Sequence, residues 1–180
     1  MPARGRDDGL HRAVRLPGRR GCVLETGEQC AECGLRTAAG GADCAGLRDL
    51  LFARDFEQPA LYWQYHRLAV DSYCVQHSPY VRSAKSLAAH LCGLCVAVER
   101  GNDQELLGGI HKWLSTNPRL DKPELPVSRG ALTIGHVSGI EDPALYGRAV
   151  GEWARSTWDA YRDLHQIARE WLSLSARHRR

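Results

Sequence analysis

The sequence predicts a mainly α protein: a helical bundle with an N-terminal cysteine loop resembling a zinc knuckle, and a long irregular connection. Three observations carry that expectation. Apolar residues recur at three- and four-residue spacing through 143–176, the period of an amphipathic helix. Caps and first-turn prolines punctuate residues 43–103 at helical lengths. Four of the seven cysteines fall within a glycine-dotted, aperiodic segment at 22–44.

Residues 1–20 carry six arginines against two aspartates, a local +4, and no continuous apolar run. They are expected to be a disordered, Arg-rich tail. A single helical domain is expected over 21–176, followed by a basic tail at 177–180. Within it, 21–43 (GCVLETGEQCAECGLRTAAGGAD) suits a knuckle better than a helix or a long strand. Asp43 is placed to cap a helix over roughly 44–56, with Leu47, Leu50, Leu51 and Phe56 on its apolar side. Gln58-Pro59 breaks it, and Pro59 suits the first turn of a second helix to about His77. Ser78-Pro79 ends that one.

Ser83 can cap a third helix, SAKSLAAHLCGLCVAVER, apolar almost all round and therefore read as central and buried. Gly101-Asn102 stops it. A shorter helix is expected at Asp103–Ser115. The connection at 116–142, rich in proline and glycine, is expected on the surface with one short strand at Ala131–Val137. One final helix is expected from Pro143 to Ala176, its stripe formed by Val150, Trp153, Trp158, Tyr161, Leu164, Trp171 and Leu172.

Composition excludes several classes. Apolar residues are 43% and charged residues 25% of the 180, ordinary for a globular protein. No apolar run nears the ~20 residues that span a bilayer, so no membrane partner is expected. Formal net charge is +3, and the excess sits in the first twenty residues, so the remainder sums to −1. Nucleic acid is therefore not the expected partner. The odd cysteine count, with no export signal before it, argues against a complete disulfide framework and for a cytoplasmic location.

Cys30-Ala31-Glu32-Cys33-Gly34 is the sharpest local signal. Two thiolates three positions apart, followed by a glycine that turns the chain back, present both sulfurs to one ion. Cys44, at the start of the next helix, is a natural third ligand. A thioredoxin-like redox pair is the competing use of C-x-x-C, but no βαβ pattern surrounds it.

The fourth ligand is sought in HRLAVDSYCVQH, residues 66–77. His66, Tyr73 and His77 share one helical face within about 60°. Eleven residues separate the two histidines by roughly 16 Å along the axis, too far for one ion. If 44–56 and 59–77 form a tight αα-hairpin, the far end of the second helix returns beside Cys44. That favours His77, with Cys74 as rival; capping of the helix C-terminus is His77's alternative role. The proposed metal set is Cys30, Cys33, Cys44 and His77, with zinc as the ion.

His66, Tyr73 and His90 are weaker candidates for acid–base work or a second metal, against a structural polar network. Asp71 lies about 140° from His66 on the wheel, so those two do not share a ligand. Cys92-Gly93-Leu94-Cys95 sits inside an apolar helix, where free cysteines act as small hydrophobes. Gly93 there suggests close helix packing.

CAECG at 30–34, Cys44, HRLAVDSYCVQH at 66–77, the AHLCGLC run to Cys95, Ala131-Leu132-Thr133 and WARSTW at 153–158 together resemble an uncharacterised bacterial domain-of-unknown-function family. The likeness covers most of residues 30–172. It departs at Ser78-Pro79-Tyr80, where Pro-Gly would be expected after the histidine, and in the Arg-rich start. It implies a domain and no activity. The leading expectation is a zinc-binding helical protein with a structural metal, acting by binding or regulation through an unknown protein partner or small molecule. The alternatives are a metal-dependent enzyme using the His66/Tyr73/His90 face, and a redox-sensing cysteine protein.

Overall fold

Caps and turns lay out the elements much as their chemistry demands. The computed structural model describes residues 26–38 and 40–178, so the Arg-rich tail, Cys22 and the last two arginines lie outside the described residues. A short antiparallel hairpin opens the fold: β1 (Thr26–Gln29) pairs with β2 (Arg36–Ala38), with an irregularity between the Thr26–Ala38 and Gln29–Arg36 pairs. Gly34, at φ +76°, takes the turn between the strands, a conformation costly for any residue with a Cβ.

Helix α1 (Cys44–Glu57) is capped by the Asp43 side chain, which accepts from the Gly46 N–H at 2.7 Å. Pro59 starts α2 (Pro59–Gln76), and a 3₁₀ turn at Ser78–Tyr80 follows. A reciprocal Ser83–Ser86 capping box opens α3 (Ala84–Glu99). Gly101 and Asn102, both at φ +61°, end it, and Asp103 caps α4 (Gln104–Ser115). The connection at 116–142 then leads to α5 (Pro143–Ala160) and α6 (His165–His178).

Helix α3 packs against α2, α4, α5 and α6, which makes it the central element its all-round apolarity predicts. Two clusters form the interior. One gathers Leu87, Leu91, Leu94, Ile110, Trp158, Tyr161 and Trp171 from α3, α4, α6 and the end of α5. The other gathers Leu51, Tyr62, Tyr73, Ile134, Val137, Tyr146, Val150 and Trp153, with Cys33 and Cys44 at its edge.

Three expectations are corrected. The final helix is two helices, split by a 3₁₀ turn at Arg162–Leu164. The His165 ring stacks on Trp158 with centroids 3.7 Å apart, and its Nε2 donates to the Trp158 carbonyl at 2.8 Å, so a tertiary contact satisfies the end of α5. Residues 131–137 hold no strand. The amides of Ala131 and Leu132 bond the Ser156 hydroxyl, and a 3₁₀ turn forms at Ile134–His136. On α1, Leu51 is buried, but Leu50 and Phe56 are 65% and 63% exposed, while Asp55 is fully buried. The wheel misassigned that face because Asp55 turns inward to pair with His66.

Candidate metal centre

The turn of the β-hairpin, the first residue of α1 and the residue that ends α2 meet at one point. The turn folds because the Cys30 N–H donates to the Leu35 carbonyl at 2.8 Å, and the Gly34 N–H returns to the Cys30 carbonyl at 2.9 Å. This presents Cys30 and Cys33 on one side. The αα-hairpin of α1 and α2 brings His77 back to Cys44, 33 positions earlier in sequence.

The sulfurs of Cys30, Cys33 and Cys44 and a ring nitrogen of His77 all lie within 4.8 Å of one another. Cys33 Sγ is 3.5 Å from Cys44 Sγ, and His77 Nε2 is 3.1 Å from Cys44 Sγ and 3.7 Å from Cys30 Sγ. A tetrahedral ion with metal–sulfur bonds of ~2.3 Å and a metal–nitrogen bond of ~2.0 Å, the lengths zinc takes, sets donor–donor edges of about 3.5–3.8 Å. The four residues lie close enough together to hold one metal ion. His77 Nδ1–H donates to the Tyr73 carbonyl at 2.7 Å, which directs the Nε2 lone pair at the sulfurs. The Tyr73 ring stacks on the imidazole with centroids 4.0 Å apart and fixes its plane.

The two buried sulfurs compete for a single negative charge. The Cys33 thiol is drawn far below its ordinary range by its hydrogen bond with Cys44, against the effect of burial; His77 and the Leu35 N–H add to the shift. Cys44 is pushed up in turn, first by the hydrogen bond with Cys33 and then by burial. Cys33 and Cys44 therefore resist carrying their charges together. A divalent ion would stabilise all three as thiolates.

Glu32 anchors the knuckle from within its own turn. Its carboxylate accepts from the Ser78 N–H at 3.1 Å and the Ser78 hydroxyl at 2.6 Å, with Arg129 3.8 Å away. These hydrogen bonds hold its pKa low. Gln76, next to His77 and fully buried, uses all its capacity: Nε2 donates to the carbonyls of Arg129 and Leu132, and Oε1 accepts from Trp153 Nε1. It ties the end of α2 to the 116–142 connection and to α5. Neither role was read from the sequence, though Gln76 stands within the quoted motif.

The weaker candidates go to three separate places. His66 Nδ1 meets Asp55 Oδ2 at 3.0 Å, and its ring stacks on Trp63. His90 Nδ1 meets Asp71 Oδ1 at 2.9 Å, and Arg67 Nε donates to the other oxygen of Asp71 at 2.8 Å. Tyr73 belongs to the metal centre. Cys74, the rival fourth ligand, is buried and hydrogen-bonded to His90. Cys92 and Cys95 are buried within α3, and the Cys92 thiol donates to the Ala168 carbonyl.

Fold and site together define a helical protein with a Cys₃His cluster at the root of an αα-hairpin. The chain belongs to DUF5946, a family of unknown function whose model matches residues 28–162. No curated protein and no solved structure matches it. No helix among the described residues is long and apolar enough to cross a membrane.

Proposed function

We propose that Cys30, Cys33, Cys44 and His77 bind one zinc ion as a structural centre, and that the protein acts by binding or regulating a partner. The observation that supports this is the mutual approach of four donors, three sulfurs and one nitrogen, within 4.8 Å. Three thiolates and an imidazole are soft enough to prefer zinc over magnesium or calcium. Four protein ligands close a tetrahedron and leave no position for a substrate, the mark of a structural rather than a catalytic site. The ion would pin the β-hairpin, which is too small to be stable alone, against α1 and α2. The six described cysteines are all free thiols, which suits a reducing cytoplasm.

The test is metal analysis of purified protein. The expected result is one zinc per chain in the wild type and a substoichiometric amount in Cys44→Ser and His77→Ala. Stoichiometric zinc surviving both substitutions overturns the assignment.

A further inference from the structure

Three of the four donors are sealed: Cys33 is 7%, Cys44 8% and His77 6% exposed. Cys30 is the exception, partly open to solvent. It also stands between two clefts. One, of about 440 Å³, runs along Gln29–Gly34 and faces the backbone of Val127–Gly130. The other, of about 350 Å³, is lined by Leu35, Thr37, Asp43 and Cys44. Cys30 lines both, which makes it the ligand of the four that a small reagent can approach. The three described cysteines outside the cluster, Cys74, Cys92 and Cys95, are all buried.

We infer that Cys30 is a modification site: the thiolate through which peroxides and soft electrophiles reach the metal centre and release its ion. The inference rests on the zinc reading above. A thiolate held by zinc stays deprotonated and nucleophilic, and its reactivity then depends on access. The Cys30 sulfur attacks one oxygen of hydrogen peroxide, the O–O bond breaks, and hydroxide leaves. The resulting sulfenic acid is attacked by the thiolate of Cys33 or Cys44, whose sulfurs lie within 4.8 Å. An S–S bond forms and a second hydroxide departs. Two thiolates lose two electrons, peroxide gains them, and zinc leaves a set reduced to one sulfur and one imidazole.

The experiment uses the full-length zinc-loaded chain treated with hydrogen peroxide. Zinc release is followed with a chromogenic chelator, and cysteines are mapped by alkylation and mass spectrometry. The expected result is release of the bound zinc in step with oxidation of Cys30 to a disulfide, while Cys74, Cys92 and Cys95 stay reduced. Reductant plus zinc restores the starting state. Cys30→His keeps a four-donor set and should hold zinc yet lose it at least about tenfold more slowly. Zinc release with Cys30 still reduced, or oxidation of Cys74, Cys92 or Cys95 ahead of it, overturns the inference. Zinc that resists peroxide overturns it while leaving the structural reading intact. An untreated chain without zinc overturns that reading first.

Discussion

Asp71 is almost wholly buried, yet it meets a charged partner on each oxygen: Arg67 from its own helix and His90 from α3. Burial disfavours the His90 imidazolium. The hydrogen bonds its ring makes to Asp71 and Cys74, with the Asp71 charge, outweigh it and lift His90 to about 9. A folded pKa above the unfolded value of about 6.5 stabilises the protein fully below pH ~6.5, and that contribution fades as pH rises toward 9. Asp71→Asn should therefore bring the His90 titration, followed by imidazole NMR, back below 7. The stability gap between wild type and variant, from urea denaturation, should be wide at pH 6 and narrower at pH 9.5, by up to about 3 kcal/mol. A gap that does not change with pH would show that the pair is not coupled through this proton.

At the scale of the element, two glycines on neighbouring helices make opposite predictions. A Cβ on Gly93 would sit 2.0 Å from Asp71 Oδ2, inside the ion-pair cluster between α2 and α3. Gly93→Ala should cost about 1–3 kcal/mol, the usual scale of overpacking. Gly108 in α4 has open space at the same position. Gly108→Ala should stabilise by about 0.5–1 kcal/mol, because alanine loses less backbone entropy on forming a helix. Chemical denaturation checks both, and equal effects would mean that the close approach at Gly93 is not real. Helix starts were legible in the sequence because they act locally: Asp43, Ser83 and Asp103 accept from amides two or three residues away, and Pro59 fixes its own φ for a first turn. The break between α5 and α6 was not legible. The stretch Tyr161-Arg162-Asp163-Leu164-His165 holds no glycine or proline, and the turn is stabilised by His165 reaching back to the Trp158 carbonyl. Leu50 and Phe56 misled for a related reason. Periodicity counts apolar residues and cannot foresee a buried Asp55–His66 pair that rotates the helix.

Across the whole molecule, the Cys₃His cluster belongs to only one of the two apolar clusters. Cys33 and Cys44 sit with Leu51, Tyr73, Ile134 and Val137, whereas the helical cluster of α3, α4 and α6 contains no donor of the set. The meeting of Cys30, Cys33, Cys44 and His77 was legible because one argument, a tight αα-hairpin returning residue 77 to residue 44, needs only helix lengths and a proline turn. What seals the centre was not legible, since it depends on where the 116–142 connection lies. Gly135 packs so closely on Leu35 that a Cβ there would fall 2.5 Å from the leucine methyl, and Gln76 holds the backbone of Arg129 and Leu132. These contacts join residues far apart in sequence and leave no local pattern. They also determine what metal removal should do. A two-stranded hairpin has little stability of its own, and losing the ion frees it from α1 and α2. The connection packed on it through Leu35 loses its support next. Helices α3, α4 and α6 keep their own core and should keep their helicity. Hydrogen exchange with and without a strong chelator should therefore show protection lost over residues 26–43 and 132–140 and retained across Leu87–Val96. Loss spread evenly over all six helices would mean that the two clusters unfold as one, and no loss at the hairpin would mean that the metal does not hold it.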